Sequence, residues 1–453
     1  MEYPVKKNQQ LLVEIIDLTH EGLGVAKVDG YPLFIENTLP GEQVEILVLK
    51  VGKKFGFGKV VKQVTVSEDR VEQVDETFIR TGIAPLIHLT YEKQLAFKQD
   101  QVKNVFERIA KLPEVPVLKT LGMENPTHYR NKAQIPVRKI NNQLETGFFR
   151  KNSHDLVPIE NFLIQEDPID DAIKIVRDIM RRFNVKPYNE QEHVGNLRHI
   201  IIRQGHYTKE MMVVLVTRTA KLFPQKNIIA AIKEALPQVV SIVQNVQPEK
   251  SNVILGKETK ILDGEEAFTD QLLGNEYRIS AESFYQVNTK QAEVLYQTAI
   301  DFADFSQEDQ VIDAYCGIGT IALSLANQVA HVTGIEVVPQ AIEDAKVNAE
   351  LNNITNADFV VGKAEEVMDE WVKENKQCDV LVVDPPRKGL EEMFIEKTVE
   401  LGPKKMVYIS CNPASLARDC AHLVEHGYTV KKVQPVDMFP QTAHVECVAL
   451  LEK

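Results

Sequence analysis

The sequence predicts a multi-domain α/β protein: a small β-barrel over residues 1–65, an α+β region over 66–275 and a doubly wound parallel sheet over 276–453. Three observations predict it. After position 310, short apolar runs alternate with segments of helical length, the pattern of β-α-β units. Before position 65, strand-length runs are separated by Gly22, Gly24, Asp29-Gly30, Pro40-Gly41 and Gly52, spacing that suits a small barrel. Between them, one long helical pattern is mixed with strand-like runs. The length, 453 residues, fits two to four domains at roughly 150 residues each.

Composition limits the function classes. At 44% hydrophobic residues the chain can bury several cores. The start, MEYPVKKNQQ, has no apolar signal region, and no run approaches 18 to 20 apolar residues, so a cytosolic protein without membrane contact is expected. The five cysteines all lie at Cys316 or later, are odd in number and lack C-x-x-C spacing. That argues against a disulfide framework or a metal site. A net charge of −13 argues against a polyanion binder with a wholly basic surface, while leaving room for local basic patches.

In the barrel, Leu11–Leu18, Gly24–Val28, Tyr31–Ile35, Gln43–Val51 and Phe55–Val61 are the expected strands. Lys50, Lys53, Lys54, Lys59 and Lys62 interleave with Phe55 and Phe57, which places phosphate partners beside stacking surfaces. Phenylalanines that simply fill the barrel would give the same pattern. In the central region, residues 89–112 read as an amphipathic helix expected to pack on the catalytic unit. Residues 128–138, 145–150, 198–203 and 211–217 read as strands. His128, Tyr129, Arg130, Lys132, Arg138, Lys139, Arg150 and Lys151, extended by Arg198, His199 and Arg203, form a basic and aromatic cluster expected on an RNA-facing surface, with salt-bridged arginines as the competing account.

In the C-terminal part, strands are expected at 310–315, 331–337, 357–361, 379–384 and 405–410, with helices at 320–329, 339–351, 364–372, 390–401 and 414–426. Two last strands, 428–437 and 444–451, have no helix between them and should pair antiparallel at the sheet edge. Ligands of such sheets sit beyond the carboxyl ends of the strands. At the first such end lies Asp313-Ala314-Tyr315-Cys316-Gly317-Ile318-Gly319-Thr320, where glycines let backbone N–H groups approach a ligand at a helix N-terminus. Alone, this turn is a weak indicator. Glu336, at the end of the second strand, adds a carboxylate able to accept both hydroxyls of a ribose, which a dinucleotide enzyme would also need. The stiff turn Asp384-Pro385-Pro386-Arg387 favours a methyl-donor domain instead. Ser410-Cys411-Asn412-Pro413-Ala414 and Glu446 then read as a nucleophilic cysteine and a possible base.

Taken together, DAYCGIGT, GIEVV, VVDPPRKG, YISCNPASLARD and HVECVALL closely resemble the RNA uracil-5-methyltransferase family, with five motifs in order over about 170 residues. ESFYQVN at Glu282–Asn288 is similar to the family's substrate and cofactor motif. The resemblance implies a Rossmann-like, S-adenosylmethionine-dependent catalytic domain. It implies that Gln286, Tyr315, Glu336 and Asp384 contact the methyl donor or line its pocket, that Cys411 is the nucleophile and that Glu446 is the general base. The barrel resembles the TRAM module, an oligonucleotide-binding-like fold found on RNA-modifying enzymes.

The chemistry needs these residue types. Carbon 5 of uracil becomes nucleophilic only after a thiolate adds to carbon 6. After methyl transfer, a base must remove the carbon 5 proton so that the cysteine can leave. The helix beginning near Pro413 is expected to lower the Cys411 pKa. A buried small hydrophobe is the bland account of a lone cysteine, and Cys316, Cys378, Cys420 and Cys447 are read that way. A salt-bridged edge carboxylate is the bland account of Glu446, and a turn cap that of Asp384.

The chain departs from many TRAM-bearing relatives at Thr81–Ile87, where closely spaced iron–sulfur cysteines would be expected. No cysteine precedes Cys316, so a cluster has no thiolate ligands there, and Ile83, Leu86 and Ile87 are expected to pack in its place. The substrate should present an unpaired or flipped-out uridine. Barrel and length resemble the large-subunit (23S) ribosomal RNA branch, with transfer RNA as the alternative, and no obligate protein partner is evident. A nicotinamide-dependent oxidoreductase or a non-catalytic RNA-binding protein are the readings from other classes, and neither uses Cys411 with Glu446.

Overall fold

The computed structural model describes residues 3–453. Strands Gln10–Glu14, Gln43–Val51, Gly56–Gln63, Tyr31–Ile35, Gly24–Val28 and Asp17–Leu18 follow one another around the N-terminal sheet. Its first and last members are two parts of one stretch interrupted at Ile15-Ile16, so the sheet closes on itself and protects its edges. The expected strand 11–18 is broken there because Ile15 N–H bonds Glu42 O while Ile16 N–H bonds Val25 O. Leu33, Ile35, Val44, Ile46 and Val48 fill the barrel. Period-2 alternation therefore puts Phe34 and Phe57 on its outer side, where with exposed Phe55 they form a group of rings 5.2–5.9 Å apart. Barrel filling by these phenylalanines is excluded.

The central sheet has seven strands, in the order Glu258–Gly264, Val239–Val246, Met211–Thr217, Leu197–Gln204, Lys132–Ile140, Gln143–Phe149 and Leu156–Pro158. One face buries Ile135, Ile200, Ile202, Val213 and Leu215 beneath helices Asp167–Arg182 and Gln225–Ala235. The other buries Ile201, Met212, Val214 and Val216 in a core shared with the hairpin Ala267–Leu272/Asn275–Ser280 and the catalytic sheet. Burial on both faces explains why Met211–Thr217 is apolar without alternation. At Thr81–Ile87, Ile83 and Ala84 pack into this central core, and Leu86 is fully buried.

The basic and aromatic cluster does not stay together. Tyr129 is buried and donates to Pro440 O. Arg198 donates to the carbonyls of Gln247, Glu249 and Ser251, and Arg203 to those of Ser280, Ala281 and Ser283. Burial pushes His199 down to about 3. Arginines that satisfy carbonyls inside a fold carry no phosphate, so the RNA-facing expectation fails for these positions.

Helix Tyr91–Val105 runs into a π-helical turn, Phe106–Ala110. Val102 and Phe106 share a core with Leu416, Ala417 and Cys420 of helix Pro413–Glu425. The following segment then lines the outermost catalytic strand: Leu118 N–H bonds Val433 O, and Leu121 N–H bonds Pro435 O.

The catalytic sheet runs Ala357–Val361, His331–Glu336, Gln310–Ala314, Val380–Val383, Lys405–Ser410, Glu446–Glu452, Thr429–Val436. Its first five strands are parallel. The last two pair antiparallel, and the later one, Glu446–Glu452, takes the inner place beside Lys405–Ser410. No helix among the described residues is long and apolar enough to cross a membrane.

Candidate active site

The first strand end builds a cradle. Tyr315, Gly317 and Gly319 take φ of +67°, +56° and +85°, and helix Thr320–Leu325 starts at once. A Cβ on Gly317 would meet nothing within 4 Å, so open space lies above that backbone. Glu336 reaches back from the second strand and accepts from Gly317 N at 3.2 Å and Val338 N at 3.0 Å. Tyr315 lies 5.8 Å from the Phe394 ring. Beneath the turn, Asp313 Oδ2 accepts from Ala322 N at 2.9 Å, while its buried Oδ1 has no partner in the protein. Burial, with Asp384 and Glu336 near, pushes this carboxyl well above the usual range. A cradle with an open backbone and a strand-end carboxylate fits a nucleoside-bearing ligand.

Gln286 is buried. Its loop is tied down by Asn131, whose Nδ2 donates to Gln286 O at 2.9 Å and whose N–H donates to Val287 O at 2.8 Å. The buried Tyr296 lies near Gln286 and in the field of Asp384 and Glu446.

Cys411 follows strand Lys405–Ser410. Ser410 pairs with Cys447 in the antiparallel register, so the next step outward sets Cys411 beside Glu446. Cys411 is half-buried, whereas the other four cysteines are buried. Burial raises Asp384 to about 7, and burial with Asp384 raises Glu446 to about 8 against the pull of Arg387. Burial, then Glu446 and Asp384, also push the Cys411 thiol up, and Arg387 opposes them. The expected lowering by the helix N-terminus is not found. Burial first, then the two carboxyl groups beside the sulfur, outweigh it.

The two loops around Cys411 brace each other. Arg387 O accepts from Asn412 Nδ2 at 2.9 Å and from Ser415 Oγ at 3.1 Å, and Arg418 donates to Lys388 O at 2.7 Å. Asp419 Oδ2 takes Leu390 N–H and Tyr408 O–H at 2.8 and 2.7 Å. A groove of about 2200 Å³ runs from Phe34 and Phe57 on the barrel, past Arg80, Arg150 and Lys151, to Arg387, Cys411 and His444.

In the sequence Arg387 stands only as part of a stiff turn, and its influence on both Cys411 and Glu446 needs the fold to be seen. The unpartnered Asp313 was visible only as the first letter of the glycine motif. His444 carries no sequence signal beyond its place two residues before Glu446.

A parallel sheet with this strand order, cradle and strand-end acids is that of an S-adenosylmethionine-dependent methyltransferase, here joined to a barrel that opens on the same groove. A family model for tRNA (uracil-5-)-methyltransferases matches residues 90–453, and one for the TRAM domain matches residues 4–61. An uncharacterized RNA methyltransferase of Enterococcus faecalis is 60% identical over 451 residues, covering 100% of this chain and 99% of that one. Another, of Streptococcus pyogenes serotype M18, is 55% identical over 449 residues, with coverage of 99% and 97%. The solved tRNA (uracil-54, C5)-methyltransferase of Pyrococcus abyssi, in complex with S-adenosyl-L-homocysteine, superposes with a TM-score of 0.78 at 28% identity, covering 97% of this chain and 99% of that one. The chain belongs to the RNA uracil-5-methyltransferase family and carries that family's TRAM domain.

Proposed function

We propose that this protein methylates carbon 5 of a uridine in large-subunit (23S) ribosomal RNA, in the cytoplasm, through a covalent adduct with Cys411. One observation carries the reading: half-buried Cys411 and buried Glu446 stand side by side on adjacent antiparallel strand ends, at the mouth of a groove that reaches the barrel. Gln286, Tyr315, Glu336 and Asp384 would hold S-adenosylmethionine, which when bound supplies an electrophilic methyl group.

The Cys411 thiolate adds to carbon 6, so an S–C6 bond forms and the C5=C6 π pair moves to make carbon 5 enolate-like. Arg387 is the one cation that favours the thiolate here. Once carbon 5 is methylated, the Glu446 carboxylate takes its proton. The C–H pair restores C5=C6, the C6–S bond breaks, and the thiolate leaves. A carboxyl group raised to about 8 is a far stronger base than an ordinary one and still ionises near neutral pH. Asp384 at about 7 tunes it by proximity.

A transfer-RNA uridine is the second reading, favoured by the Pyrococcus abyssi enzyme, a tRNA (uracil-54, C5)-methyltransferase that matches this chain over nearly its full length. Labelled methyl transfer to unmodified ribosomal and transfer RNA, with the product nucleotide mapped by mass spectrometry and Cys411→Ala alongside, tests both. We expect 5-methyluridine in ribosomal RNA that vanishes in the variant. Label only in transfer RNA selects the second reading. No label in either, with the donor still binding, defeats the uracil assignment.

A further inference from the structure

Glu446 is the first residue after an irregular stretch, residues 437–445, that joins the two antiparallel strands. Helix Tyr91–Val105 grips this stretch at four places. Tyr91 O–H donates to Asp437 Oδ2 at 2.9 Å, and Lys98 Nζ donates to Asp437 Oδ1 at 2.5 Å and to Phe439 O at 3.1 Å. Gln94 and Gln441 bond reciprocally, with Gln94 Nε2 to Gln441 Oε1 at 3.0 Å and Gln441 N–H to Gln94 Oε1 at 3.0 Å. Gln101 Nε2 donates to Ala443 O at 3.3 Å.

Positions 91, 94, 98 and 101 fall on one face of the helix. A helix face that packs on a core is ordinarily apolar, and this one spends four polar side chains, with Lys98 and Asp437 both fully buried, on one loop. Gln441 holds a left-handed φ of +70°, a conformation a non-glycine residue keeps only where its surroundings fix it. The neighbouring face of the helix, with Lys93, Phe97, Asp100 and Asn104, lines the groove, which Gln101 also reaches from the stripe.

We propose that this polar stripe is the positioning device of the general base. Tyr91, Gln94, Lys98 and Gln101 set the register of residues 437–445 and so hold Glu446 against the carbon 5 proton, with the Lys98–Asp437 pair as the fixed point. The inference rests on the role proposed above for Glu446. Cys411 is held by its own strand and by the loop braced through Arg387 O, and none of the four stripe side chains bonds to that loop. Loosening the stripe therefore moves the base and leaves the nucleophile, a split that a merely structural role would not produce.

The test uses the full-length enzyme with Lys98→Met, with Gln101→Ala, which leaves the buried pair intact, and with Lys98→Met/Asp437→Asn, which strands no charge. RNA carrying 5-fluorouridine reports the steps up to and including methyl transfer, because fluorine at carbon 5 cannot leave as a proton. Ordinary RNA reports the whole cycle. The proposal expects adduct formation on 5-fluorouridine within about threefold of wild type, kcat on uridine down by about tenfold or more at unchanged KM, and a denaturant-stable protein–RNA complex accumulating on ordinary RNA. It is overturned if addition and turnover fall in proportion, or if turnover is unchanged in all three variants. If wild type itself forms no adduct with 5-fluorouridine RNA, the covalent reading fails first and takes this one with it.

Discussion

Replacing Glu446 by glutamine should stabilise the protein, and increasingly so as pH rises. The carboxyl group is 5% exposed and is raised from 4.5 to about 8, chiefly by burial. An acid whose folded pKa lies above its unfolded value favours folding only while protonated, so stability is lost as pH climbs from 4.5 through 8. Linkage between those two values gives a cost that is small at pH 5.5 and several-fold larger at pH 8.5. Glutamine keeps the shape and never ionises. The advantage of Glu446→Gln should therefore grow by about 3 kcal/mol between the two pH values, a ceiling because Asp384 titrates beside it. Thermal unfolding of wild type and variant at pH 5.5 and 8.5 reads this directly, at about 2–4 °C per kcal/mol for a unit of this size. An equal shift in midpoint at both pH values would refute the reasoning, because it would mean that Glu446 ionises in the folded state as readily as in water.

Three further outcomes follow from the same geometry. Glu446→Gln should lower turnover by about 10²–10⁴-fold and trap a covalent complex with ordinary RNA, visible on a denaturing gel. Wild-type turnover would remove Glu446 from the mechanism. Arg387→Met removes the one cation that opposes the raised Cys411 thiol, so the pH profile for alkylation of Cys411 should move to higher pH; an unmoved profile would show that the guanidinium does not reach the sulfur. Phe55→Ala with Phe57→Ala should weaken RNA binding by about 1–3 kcal/mol for each base that stacks there, leaving S-adenosylmethionine affinity unchanged in calorimetry. Unaltered RNA affinity would return the ring group to a structural role.

Much of the architecture was legible because it is local. Gly24–Val28, Tyr31–Ile35, Gln43–Val51, Met211–Thr217, Pro339–Leu351, Ala357–Val361 and Lys405–Ser410 have in the structure the bounds that periodicity and turn residues assign them. What stayed hidden depends on distant partners. Strand Val239–Val246 and the hairpin at 267–280 draw their burial from a core shared with the catalytic sheet, and nothing in their own spacing says so. Residues 115–121 become sheet-like only because Val433 and Pro435 offer them carbonyls more than 300 positions later. The basic cluster failed for a related reason. Adjacency along the chain puts Arg198, His199 and Arg203 together, but alternation and burial send each to a different set of carbonyls or into the core. In the site, motif order pointed to Cys411, Asp384 and Glu446 as residues. Their electrostatics came from burial, which reversed the direction expected for the thiol.

The central claim is a bond between Cys411 and carbon 6 of a uracil. The most direct measurement incubates the full-length enzyme with 5-fluorouridine RNA and S-adenosylmethionine, digests the denaturant-stable product and sequences the nucleotide-bearing peptide by mass spectrometry. The account predicts one modified peptide, with the nucleotide bonded through carbon 6 to Cys411 and the transferred methyl group on its carbon 5, and none from Cys411→Ala. A stable complex through any other residue, or methylated product without an adduct in either protein, would contradict it.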